Sequence, residues 1–111
     1  MNRKANKGRV IITGTGPAGI FAGIVLQKAG FSTVILERGS VVDSREKAVR
    51  EFESTGNFNP VDNYAFGEGG AGTFSDGKLT SRSKHISLER RFILDAYVKA
   101  GAPEEILFLA H

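Results

Sequence analysis

Residues 9–37, RVIITGTGPAGIFAGIVLQKAGFSTVILE, decide how this chain folds. Arg9 to Thr13 form a short apolar run that stops at glycine, the pattern of a parallel strand covered on both faces. Pro17 to Gly30 read as a helix. Pro17 suits the first turn, where its missing N–H would go unpaired anyway, and Gly30 suits the left-handed position just past the end. Thr33 to Leu36 are a second apolar, partly β-branched run. A strand, a helix and a strand within about 30 residues imply parallel pairing through a right-handed crossover.

Between the first strand and the helix lies Gly14-Thr15-Gly16-Pro17-Ala18-Gly19, which fits G-x-G-x-x-G. Gly14 permits the tight turn, Gly16 lets backbone approach a pyrophosphate, and Gly19 lets helix and strand pack closely. Gly23, one helical turn on, extends the smooth face. Free amides at the helix start then hold the phosphates, helped by the positive end of the helix dipole. Glu37 ends the second strand 18 residues after Gly19, where a carboxylate can accept hydrogen bonds from adenosine ribose hydroxyls. It disfavours a 2′-phosphate and so NADP, although Arg38 beside it pulls the other way. The plainer alternative is a turn made of glycines with a solvated acid at a strand end. Units of this kind serve NAD and FAD alike, so this motif does not choose between them.

Further along, Asp43 and Glu46 are spaced as a capping box, followed by Ala48, Val49 and Phe52 at helical spacing and by Gly56 as a stop. From Asn57 to Lys84 neither periodicity holds, and the stretch reads as an extended loop with at most one short strand. Ser87 is placed to cap a last clear helix with Leu88, Phe92, Ile93, Ala96, Tyr97 and Ala100 on one side, closed by Gly101. Pro103 starts one further turn, and no internal repeat or interdomain linker interrupts the chain.

Composition narrows the class. One hundred and eleven residues suit a single compact domain, residues 1–111, and 41% hydrophobic with 24% charged residues lies near the globular average. Of 15 basic residues, Arg3, Lys4, Lys7 and Arg9 fall in the first nine positions, so residues 1–8 read as a basic flexible tail. The remainder carries 11 basic against 12 acidic residues, which argues against a nucleic-acid partner. Glycines interrupt the apolar stretch after the basic start, so it is no secretory signal, and no run reaches the roughly 20 apolar residues of a membrane span. A cytoplasmic protein is expected. Without cysteine there is no thiol chemistry, and redox work would fall to a bound cofactor.

The second glycine-rich run, Gly67-Glu68-Gly69-Gly70-Ala71-Gly72-Thr73-Phe74-Ser75-Asp76-Gly77-Lys78-Leu79, is too flexible for a helix or strand and offers a row of amides suited to anionic ligands. With Gly14 to Gly19, Glu37-Arg38-Gly39 and the run from Phe66 to Leu79, and more weakly with Gly101-Ala102-Pro103 through His111, the chain resembles the NAD(P)/FAD-dependent oxidoreductases often labelled FAD-dependent dehydrogenases. The resemblance covers nearly the whole chain. It implies an α/β fold: a partial Rossmann-like βαβ unit of a two-dinucleotide-type flavoprotein, followed by a Gly-rich loop and helices. It also implies that Gly14, Gly16, Ala18, Gly19, Glu37 and Arg38 hold the ADP part of FAD. Gly69, Gly70, Ala71, Gly72 and Thr73 would run beside the pyrophosphate and ribityl chain.

Members of that family run to several hundred residues, so this chain reads as an amino-terminal fragment whose flavin-ring pocket and substrate domain lie elsewhere. The helix from Pro17 to Gly30 is apolar almost all round, and so few elements can hardly cover it, so exposed apolar surface or self-association is expected. Arg45 stands evenly between a bidentate pyrophosphate donor and an exposed helix residue. Ser75, Asp76 and Lys78 read as solvated before they read as flavin contacts, His85 and His111 as surface histidines without metal partners, and Leu88, Phe92 and Tyr97 as core. No catalytic residue stands out and the small-molecule substrate is open. For the complete protein the expectation is hydride or electron transfer through FAD, with NAD(P)H or an organic molecule as donor. The alternatives are a non-catalytic nucleotide-binding module and an NAD-binding domain without flavin.

Overall fold

The computed structural model of the chain describes residues 7–75 and 82–109. Residues 1–6 of the expected basic tail, with Asp76, Gly77, Lys78, Leu79 and His111, lie outside the described residues. The chain divides into two compact units, Met1–Ser75 and Asp76–His111.

The first unit opens with β1 (Arg9–Thr13), α1 (Pro17–Lys28) and β2 (Ser32–Leu36). The strands pair in parallel, from Arg9 opposite Ser32 to Thr13 opposite Leu36. The chain is thus an α/β protein built on a β-α-β unit, a partial Rossmann-like arrangement. Gly30 ends α1 as its position foretold: at φ +100° its N–H donates to the Gln27 carbonyl at 3.0 Å, and the Phe31 N–H reaches back to Leu26 at 3.0 Å. Lys7 and Gly8 are not free tail, since the Gly8 carbonyl accepts the Ser32 N–H at 3.0 Å.

Burial alternates along both strands. Val10, Ile12, Thr33 and Ile35 are partly covered, and Gly23 of α1 is buried with its α-carbon over Ile12 and Ile35. On the other face Ile11 (63%), Val34 (37%) and Leu36 (53%) remain exposed. The strands are therefore covered on one face, not on both, because a single helix packs on two strands. Val25 of α1 is also 53% exposed, so the expected apolar surface is present.

Helix α2 (Val42–Thr55) ends at Gly56 (φ +78°), but its start differs from the expected capping box. Val41 is the cap residue, Asp43 lies inside the helix, and no side chain of the first turn makes a cap hydrogen bond. Instead the Val42 N–H donates to the Glu68 carboxylate at 2.6 Å, 26 residues away. Residues 57–69 hold no strand and are organised by short polar side chains. Asn59 Oδ1 accepts the N–H groups of Val61 and Asp62, and Asn63 Oδ1 those of Ala65 and Phe66. Such side-chain turns replace a backbone ladder.

In the second unit α3 (Ser87–Lys99) is followed by the short α4 (Ile106–Leu109), with Gly101 at φ +115° closing α3. Ser87 is the first helical residue and Ile86 precedes it without a side-chain cap. The expected core stripe is also corrected: Leu88 is 82% exposed, and the buried residue of α3 is Leu94 at 4%. The chain folds back through Pro103 into α4, which packs on α3, and within α3 only residues 93–98 are covered.

Candidate functional site

The site forms where β1 gives way to α1. Gly14, at φ +105°, turns the chain, and its N–H donates to the Leu36 carbonyl at 2.6 Å. Gly16 is the extended cap residue of α1 and Pro17 opens the helix, with no side-chain cap hydrogen bond. Gly19 is sterically compulsory: a β-carbon there would coincide with the Gly14 carbonyl oxygen and lie 3.3 Å from Ile12 Cγ2. Among the described residues no group accepts the N–H of Ala18 or Gly19, and the first bond into the helix is from Ile20 to Gly16. These are the orphan donors of a helix amino end, pointed where an anion is favoured.

Glu37, at the end of β2, meets this turn directly. Its Oε1 accepts the Thr15 hydroxyl at 2.7 Å and the Thr15 N–H at 3.0 Å, while Oε2 accepts the Gly39 N–H at 2.8 Å. The Thr15 hydroxyl bond first, then the two N–H bonds, hold its carboxyl down from the usual 4.5 to about 2; partial burial opposes this and the charge of Arg45 adds least. A carboxylate has about four acceptor directions, so Oε2 keeps one open for a further hydroxyl donor.

The second glycine-rich segment docks on the first. The Gly69 N–H donates to the Thr15 hydroxyl at 3.2 Å, across 54 residues. Gly70 (φ +75°) lies against Gly16 so closely that a β-carbon on it would be 2.8 Å from the Gly16 α-carbon. Gly70–Gly72 form a short 3-10 turn, in which Ala71 and Gly72 are exposed. Thr73 turns its hydroxyl back to the Glu68 and Gly70 carbonyls, at 3.1 Å each. Thr15, absent from the sequence reading except as a variable position, is the joint between the segments; a hydroxyl beside two glycines and a distant acid was its only signal.

Arg38 is exposed beside the site, with its guanidinium carbon 5.1 Å from the centre of the Phe66 ring. Arg45 takes neither expected role. It is completely buried, with Nε on the Asn63 carbonyl, Nη1 on Glu68 and Nη2 on Tyr64, all at 2.8 Å. A side chain without exposed surface cannot touch a ligand in this arrangement. Ser75 and His85 are exposed. An apolar hollow of about 210 Å³ between α2 and the loop is lined by Val49, Phe52, Phe58 and residues 63–66. The Asn63 side chain in this lining is spent on loop backbone. No helix among the described residues is long and apolar enough to cross a membrane.

Comparison with known proteins agrees with this geometry. Residues 7–51 match the family described as FAD binding domain. Over 102 residues, 92% of its length, the chain is 48% identical to an uncharacterised protein of Clostridium beijerinckii, and it spans 19% of that protein's length. The similarity is to an FAD-binding segment and covers residues 7–51.

Proposed function

We propose that this chain supplies the ADP-binding cradle of a flavoprotein oxidoreductase. One observation carries the reading: Thr15 bonds both Glu37 and Gly69, so that both glycine-rich segments and the acid of β2 meet at the amino end of α1.

The residues present fit the ADP half of FAD. The free amides of Ala18 and Gly19 suit the pyrophosphate, and the open acceptor direction of Glu37 suits a ribose hydroxyl. Ala71 and Gly72 offer amides to the second phosphate or the ribityl hydroxyls. Arg38 lies at the ribose end, where its stacking on Phe66 makes a flat wall. Because Glu37 stays ionised, a 2′-phosphate is repelled and the cradle favours unphosphorylated adenosine. Bound FAD supplies the hydride or two-electron transfer of the complete protein, with NAD(P)H or an organic molecule as donor. The residues described here bind and orient; none of them moves a proton.

The test is reconstitution. The purified chain is mixed with FAD, passed through gel filtration and examined for flavin absorbance in the protein peak. Co-eluting flavin supports the reading. A colourless peak that still binds ADP-ribose would replace it with a nucleotide-binding module without flavin, and absence of any adenine-nucleotide binding would refute the cradle itself.

A further inference from the structure

We infer that Arg45 is the positioning residue of the second glycine-rich segment: it fixes Gly69–Thr73 against Gly16 before any ligand arrives, and acts on a bound phosphate only through that backbone. The part concerning phosphate rests on the cradle reading above; the part concerning the loop does not.

The side chain brackets the segment from both ends. Ahead of it, the three guanidinium nitrogens hold the carbonyls of Asn63, Tyr64 and Glu68, each at 2.8 Å. Behind it, the guanidinium carbon stands 5.0 Å from the centre of the Phe74 ring. The guanidinium is thus fully buried against carbonyl dipoles and an aromatic face, and among the described residues no carboxylate forms a salt bridge with it. Three carbonyls from three residues match the planar fork of an arginine. A lysine, with one compact charge, cannot satisfy all three in the same plane.

The loop is shaped to receive this side chain. Gly67 has φ +115°, and a β-carbon on it would fall 2.5 Å from Arg45 Cδ. Glu68, whose carbonyl Arg45 holds, sends its carboxylate to the Val42 N–H and its own N–H to the Ser40 carbonyl at 3.1 Å. Asp62 accepts the Ser40 N–H at 2.6 Å. The start of α2 and the loop are therefore tied at Asp62 and at Glu68, and Arg45 adds its three carbonyl bonds to these ties. From there the chain passes directly into Gly69, whose N–H reaches Thr15.

The experiment uses the full 111-residue chain without ligand: amide hydrogen exchange in wild type, Arg45→Lys and Arg45→Ala, the last with and without ethylguanidinium. Losing charged buried hydrogen bonds should speed exchange across 66–75 roughly tenfold or more, while 9–37 stay within about twofold. Ethylguanidinium should restore the Ala variant and ethylammonium should not. Unchanged exchange across 66–75 overturns the proposal. So does equal loss of protection in 9–37, which would make Arg45 a residue of the whole fold.

Binding of ADP and AMP is then compared. The substitutions should weaken ADP by about tenfold or more and AMP much less, because the displaced turn borders the second phosphate. A loosened loop with unchanged ADP affinity overturns the action on phosphate. Wild type that fails to bind ADP refutes the cradle reading instead, and leaves the exchange result to decide the positioning role.

Discussion

Replacing Gly19 and Gly23 by alanine, one at a time, separates steric need from helix propensity on a single face of α1. At Gly19 the new β-carbon would overlap the Gly14 carbonyl oxygen and lie 3.1 Å from its carbon. Neither atom can rotate aside, because both are backbone of a turn held at φ +105°. Overpacking of this kind costs about 1–3 kcal/mol, and the helix-propensity gain of alanine returns at most about 1 kcal/mol, less in a first turn. Gly19→Ala should therefore destabilise the chain by about 2 kcal/mol and shift α1 away from β1. At Gly23 the β-carbon would meet only Ile35 Cδ1 at 3.4 Å and Ile12 Cδ1 at 3.7 Å, ordinary contacts with side-chain ends. Gly23→Ala should be neutral or stabilise by about 0.5–1 kcal/mol. Urea unfolding followed by circular dichroism measures both. A Gly19→Ala chain as stable as wild type, or equal losses at both positions, would refute the close packing described here.

Three further outcomes are expected. The Glu37 carboxyl is depressed in the fold, so its contribution is fully present above pH 4.5 and is lost as pH falls from there towards about 2; Glu37→Gln should flatten the acid limb of a stability–pH curve in that window, and an unchanged limb would contradict the bonds to Thr15 and Gly39. Glu68→Ala removes the distant cap of α2 and should cost about 1 kcal/mol in urea unfolding, with helical signal lost from α2 first. Ile11→Lys places a charge on the bare face of the β1–β2 pair and should lower concentration-dependent association in sedimentation velocity, whereas unchanged association would show that this face is not the contact.

The β-α-β unit was legible because every signal for it is local. Alternating apolar residues, proline at the first helical position and glycine at the left-handed stop each act within a few residues, and β1, α1 and β2 stand within two residues of their expected bounds. The meeting of Glu37 with residues 14–19 followed from parallel pairing, which sets the end of β2 beside the end of β1. What lay hidden depends on distant partners. The amino end of α2 is capped from Glu68, so the nearer pair Asp43 and Glu46 gave a false box. Arg45 bonds carbonyls, which every residue possesses, so no pattern of side chains could announce its acceptors. The stripe of α3 failed for another reason: periodicity marks an apolar side but not what covers it, and Leu88 stays exposed.

The most direct test of the cradle is competition between two halves of one cofactor. FAD is bound to the chain and displaced with ADP or with FMN, the displacement followed by flavin fluorescence. On the proposal that Ala18 and Gly19 take a pyrophosphate and Glu37 an adenosine ribose, ADP should displace FAD and FMN should not, and Glu37→Gln should weaken ADP. Displacement by FMN with indifference to ADP would contradict the assignment of residues 14–19 and 37 to the adenylate half.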